Sequence, residues 1–102
     1  MNKADREHLE NLVALGCIAC RTKGLGHTYP EIHHPRAGQG ASQRAPHSEA
    51  IPLCPIHHRL GDGTAAYKGQ YGYHWSPSLF EGTYGTEREL LAKTKELLNG
   101  NG

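Results

Sequence analysis

Cysteine is scarce in this chain of 102 residues: there are three, beside one methionine, one tryptophan and one phenylalanine. An odd count excludes a fully paired disulfide framework, and no signal peptide precedes the cysteines, so a reducing, cytoplasmic setting is expected. No apolar run approaches the roughly 20 residues that a membrane-spanning helix needs. An excess of one charge is lacking too. The net charge is +1, which excludes a polycationic coat for nucleic acid. With 36% hydrophobic residues and 13 glycines, the chain has material for only a thin core. One small domain over residues 1–102, frayed from about residue 99, is the expected organisation. A structural zinc would offset the thin core, since such sites contribute on the order of 10–16 kcal/mol of apparent binding free energy.

Histidine is what the chain has in quantity, eight in all. Two stretches carry adjacent pairs: Ile32-His33-His34-Pro35-Arg36 and Leu53-Cys54-Pro55-Ile56-His57-His58-Arg59-Leu60. Upstream lies Cys17-Ile18-Ala19-Cys20. Cys17 and Cys20 with Cys54 and His57 form a C-x2-C…C-x2-H set, the ligand spacing of a closed structural zinc site. His57 is favoured over His58 as the fourth ligand because C-x2-H matches the reach of C-x2-C. His33, His34 and His58 are then left over, and three spare histidines in so small a chain point to an active site. His58 is turned about 100° from His57 around a helix. His33 and His34 sit next to each other on a strand, where side chains alternate between faces. For both to serve one site the strand must bend, and Pro35 makes a bend plausible. One of the two can join His58 on a second metal while the other stays free as a base.

Charge is unevenly placed along the chain. Between residues 21 and 68 there are six bases, Arg21, Lys23, Arg36, Arg44, Arg59 and Lys68, against Glu31, Glu49 and Asp62. Arg36, Arg44, Arg59 and Lys68 are the expected DNA contacts, since a modest cationic face near a metal site suits a phosphate backbone. Asn2 is expected to cap a first helix running to about Leu15 and ended by Gly16, followed by a tight knuckle at Cys17–Cys20. Residues 27–33 read as a short extended segment at a sheet edge, residues 36–48 as a loop, and residues 50–53 as the returning strand. Pro55 opens a short helix bearing His57 and His58. Ser76-Pro77 opens another, and the capping box Thr86-Glu87-Arg88-Glu89 opens a last one, with Leu90, Leu91, Leu97 and Leu98 expected on its buried side. The fold class is small α+β: a hairpin and helix stapled by zinc, with flanking helices.

These residues resemble the HNH, or ββα-metal, endonucleases, in which a base histidine on a strand precedes a loop and a metal-binding helix. The nearer likeness is to the Ref (recombination enhancement function) group of phage RecA-dependent nucleases. It is carried by Ile32-His-His-Pro-Arg36, by Ile51-Pro-Leu-Cys-Pro-Ile-His-His58 and by Phe80-Glu-Gly-Thr-Tyr-Gly-Thr-Glu-Arg-Glu-Leu-Leu91, and spans about residues 12–98. The resemblance implies a DNA endonuclease in the cytoplasm of a bacterial host, with a RecA filament on single-stranded DNA as a candidate partner. It implies His34 as general base, His33 and His58 as ligands of a catalytic Mg2+ or other divalent ion, and Cys17, Cys20, Cys54 and His57 as the zinc set. Arg36 or Arg59 would stabilise the transition state, and Asp62 and His74 are further candidate ligands. His27 and His47 have no assigned role. The middle position of the HNH name is often Asn; the loop here offers only Gln43 and Ser48. A basic N-terminal extension known in some members is not expected here, so DNA affinity is expected to be weak or supplied by a partner. The alternative is a non-catalytic zinc-structured module binding DNA or RecA, which leaves His33, His34 and His58 idle. A different zinc hydrolase is disfavoured because no H-E-x-x-H is present.

Overall fold

The computed structural model describes residues 1–36 and 45–100. Helix α1 (Lys3–Leu15) starts where the Asn2 side chain accepts the Asp5 backbone N–H at 2.7 Å. It stops at Gly16, whose φ of 84° any β-carbon would disfavour, and whose added Cβ would sit 2.7 Å from the His27 ring. That ring is there because His27 Nε2 bonds the Ala14 carbonyl at 3.1 Å, so His27 serves the end of α1. The expected knuckle is a short helix, α2 (Ile18–Thr22). Cys17 caps it, its sulfur accepting the Cys20 N–H at 3.4 Å.

The sheet has two antiparallel strands, β1 (Glu31–His33) and β2 (Ile51–Leu53), with Ile32 opposite Pro52 and His33 opposite Ile51. β1 is shorter than the sequence suggests. Pro30, which has no N–H to give a ladder, holds the strand to three residues. All of β2 is buried, packed against α1, α2 and α4. Residues Gln43 and Arg44 lie outside the described residues; a single 3-10 turn at His47–Glu49 leads into β2.

After Cys54 the chain makes a wide turn, Ile56–Leu60, closed by a π-type bond from Gly61 N–H to the Ile56 carbonyl at 2.9 Å. This wider winding leaves the carbonyls of His57 and His58 to accept N–H groups of a later segment, Tyr73 at 2.9 Å and His74 at 3.0 Å. The approach is tight at Gly72, where an added Cβ would lie 2.9 Å from backbone atoms of Arg59 and Ile56. π turns of this kind are common at functional sites.

Two helices follow. In α3 (Pro77–Tyr84), Ser76 caps the first turn with Pro77 just inside it. In α4 (Glu87–Leu98), Thr86 and Glu89 bond each other's backbone N–H reciprocally, at 3.1 and 2.9 Å. The inner face of α4 takes in Leu90, Leu91 and Leu97 of the four leucines the sequence suggests, together with Glu87 and Thr94. Glu87, Leu90 and Thr94 are its buried residues, while Leu91 and Leu97 pack partly buried against the core. Ile18, Ile51, Leu53, Phe80, Tyr84 and Leu90 form the centre of that core, with the three cysteines among them.

Candidate metal centres and active site

Cys17 and Cys20 come from the start of α2, and Cys54 and His57 from the wide turn after β2. The four ligand atoms lie within 4.8 Å of one another, all buried. His57 Nδ1 is 3.5, 3.4 and 3.2 Å from the sulfurs of Cys17, Cys20 and Cys54, and the Cys20 and Cys54 sulfurs are 3.9 Å apart. Zn–S bonds of about 2.3 Å and a Zn–N bond of about 2.0 Å in a tetrahedron imply edges of roughly 3.8 and 3.6 Å. The buried Cys3His set therefore fits a tetrahedral metal such as zinc. Its outer partners are in place as well. His57 Nε2 donates to Gln70 Oε1 at 2.9 Å, the Tyr84 hydroxyl donates to the same oxygen at 2.9 Å, and the Thr28 hydroxyl donates to Cys20 Sγ at 3.0 Å. Such contacts fix ligand orientation.

Of the three thiols only Cys54 is lowered; burial raises Cys20, and Cys17 moves opposite to Cys54. Donation from the Cys17 thiol drives the Cys54 thiol far below its ordinary value, with His57 assisting against burial. The same contact and burial raise Cys17, so the pair shares one proton and the anion belongs on Cys54. Burial opposes charge on His57, but Cys54 and Gln70 together raise it.

A second group assembles beside the first. His33 at the end of β1, His58 on the wide turn and His74 bring one ring nitrogen each within 4.8 Å of the others. Their ring centroids are 5.2, 5.4 and 4.8 Å apart for His33–His58, His33–His74 and His58–His74. Carboxylates hold two of the rings. Glu31 Oε1 accepts from His58 Nδ1 at 2.8 Å, and Glu87 Oε2 from His33 Nε2 at 2.6 Å. An ionised carboxylate only accepts, so each contacted nitrogen carries the proton. The nitrogens left with lone pairs are Nε2 of His58 and Nδ1 of His33. Burial first, then the proximity of His58, His33 and Arg36, lowers the His74 imidazole, which favours its neutral, ligating form. Three imidazoles with an outward-facing member suit a metal with open positions, unlike the closed cysteine set.

His34 lies apart from this trio. Its Nε2 is 3.0 Å from Nδ1 of His47, with the rings 5.0 Å apart, so the two adjacent histidines, one ending β1 and one just past it, take different surroundings. Glu31 bonds His58 and, through both carboxylate oxygens, Arg59, at 2.9 to 3.3 Å; Arg59 pulls the Glu31 carboxyl down. Arg36 gives its backbone N–H to Glu87 at 2.9 Å. Asp62 is not part of the trio: its carboxylate accepts the N–H and hydroxyl of Thr64 at 3.0 and 2.6 Å. Lys68 is exposed at a left-handed position with φ of 55°. Ser48 sits exposed in the turn before β2.

Glu87, Gln70 and Tyr84 belong to these sites without being expected there, and His47, expected to have no assigned role, meets His34. Only Glu87 left a signal, as a second acid in a capping box that Glu89 already completes. No helix among the described residues is long and apolar enough to cross a membrane. Among curated proteins, none matches the chain. The family model described as recombination enhancement, RecA-dependent nuclease, matches residues 2–99.

Proposed function

Because the chain belongs to the recombination enhancement, RecA-dependent nuclease family, we propose that it is a metal-dependent DNA endonuclease of the HNH, or ββα-metal, type. The observation that carries this reading is the convergence of His33, His58 and His74 beside a separate, closed Cys3His set. In this reading Cys17, Cys20, Cys54 and His57 hold a structural zinc, and the strand pair with its wide turn is the ββα core. His33 and His58, joined by His74, hold a catalytic divalent ion such as Mg2+. When bound, that ion supplies positive charge against the phosphate oxygens, which otherwise repel an attacking water.

His34 is the general base. Its ring lies against His47, with Nε2 3.0 Å from Nδ1 of His47, and in this reading the imidazole takes the proton from water. An unperturbed imidazole titrates near neutrality, which suits that transfer. In this reading His47 ties the turn before β2 to the end of β1 through His34, the task that Asn often has in the HNH pattern. Arg36, whose backbone N–H is held by Glu87, would bring its guanidinium to the charge that develops on the phosphoryl oxygens. Arg59, half exposed and held by Glu31, meets the DNA backbone together with Arg44 and Lys68. A recombination role and dependence on RecA follow from the family's description; this reading extends them to a phage setting and to a RecA filament on single-stranded DNA.

A plasmid and a single-stranded oligonucleotide, each with Mg2+ or Mn2+ and with or without RecA filaments, test this. Metal-dependent cutting that rises when RecA is added is expected. Intact DNA in every arm, with purified protein that has its zinc bound, would refute the nuclease reading.

A further inference from the structure

We infer that Glu87, on the C-terminal helix, is a positioning residue for the metal trio: it selects the His33 tautomer that presents Nδ1 to the ion. This rests on reading the trio as a divalent-metal site.

Glu87 is an acid where acids are rarely found. It is 4% exposed, and it is the first residue of α4, so its charge gains from the helix's positive end. One oxygen, Oε2, accepts two hydrogen bonds, from His33 Nε2 at 2.6 Å and from the Arg36 backbone N–H at 2.9 Å. It therefore grips the chain on both sides of the His34-Pro35 step. His33 itself is 1% exposed, with Tyr73 against its ring at 4.8 Å, so the imidazole cannot swing to another acceptor. Burial, followed by the charge of Glu87, pushes the Tyr73 hydroxyl up to about 12, which keeps it protonated and uncharged beside the site.

The helix that carries Glu87 has another task. Its capping box uses Glu89, not Glu87, so capping alone gives no reason for an acid at the first position. What an acid there does is donate nothing and accept from a ring N–H, the carboxylate–histidine arrangement found behind many metal ligands. Glu31 makes the same arrangement with His58 from within the hairpin. Two carboxylates thus stand behind two imidazoles, and together they balance a 2+ ion held by neutral nitrogens.

The test uses the full chain with its cysteine site zinc-loaded. In nitrogen-detected NMR of the wild-type protein with Mg2+, His33 should carry its proton on Nε2; a proton on Nδ1 overturns the inference without any variant. Calorimetric titration with Mn2+ then compares wild type, Glu87→Gln, Glu87→Ala and His33→Ala. Glu87→Ala should weaken Mn2+ binding about 10–100-fold, and Glu87→Gln, which retains a neutral acceptor, by less. A Glu87→Ala protein that folds and binds Mn2+ as wild type does would overturn the positioning role. His33→Ala binding Mn2+ normally would instead overturn the metal reading beneath it.

Discussion

His57 and His58 are neighbours in sequence, yet their replacement by alanine should have opposite consequences. His57 is 2% exposed and packs its ring 4.8 Å from Tyr84. Truncating it opens a cavity in the core, a change that costs about 2–5 kcal/mol for large side chains. It also strands Gln70 Oε1 with one donor fewer, about 1 kcal/mol more. Loss of the fourth metal donor adds to both, and structural zinc is worth on the order of 10–16 kcal/mol. Against a net stability of about 5–15 kcal/mol for a typical domain, His57→Ala should leave the domain unfolded or nearly so. His58 is partly exposed, and its removal leaves Glu31 still paired with Arg59. The cost there is about 1 kcal/mol, roughly 4–8 °C in melting temperature for a domain this small. Melting followed by circular dichroism, zinc content by atomic emission, and cleavage should be read on both variants. His58→Ala should stay folded, keep its zinc and lose cleavage. A stable, zinc-bearing His57→Ala protein, or a His58→Ala protein that sheds zinc, would refute the division of roles.

His34→Ala should lower cleavage by about 10²–10⁴-fold with zinc content and DNA binding retained; cleavage by the variant at the wild-type rate would remove His34 as the base. Thr86→Ala should cost about 1 kcal/mol of stability, measured by chemical denaturation. Glu89, held below its ordinary 4.5 by the Thr86 N–H, stabilises the fold above that pH and loses its contribution as pH falls through the lowered value. The Glu89→Gln protein should therefore show a flatter acid limb in its stability profile than wild type.

Much of the fold was legible because local chemistry dictates it. Asn2, Gly16, Ser76-Pro77 and the Thr86–Glu89 box each mark a helix end by a short-range bond, and all four stand where the sequence suggests. The Cys3His grouping was legible because ligand spacing reports reach. What was not legible depends on contacts far apart in the chain. Glu87 meets His33 across 54 residues, and Gln70 meets His57 across 13 by way of a turn whose course no periodicity reveals. The sequence suggested an ordinary helical step between His57 and His58; the π-type winding, set by Gly61 and by the closeness of Gly72, has no simple signature. His74 was legible only as one more histidine, because its place depends on that winding.

The wide turn also governs where this chain can change length. His57 and His58 face different ligand sets one bond apart, and their carbonyls are keyed to Tyr73 and His74. A single inserted residue between Cys54 and His58 would carry one histidine out of each set at once. The two sites are thus bound to a common ruler, and neither can drift in evolution without the other. The segment between them and His74 is different. Gly63 N–H bonds the Gln70 carbonyl at 2.9 Å and Gly72 N–H the Gly61 carbonyl at 2.8 Å, which clamps the base of the excursion before its exposed tip at residues 64–69 begins. Insertions and deletions among relatives should collect at that tip, leaving both candidate metal sites undisturbed.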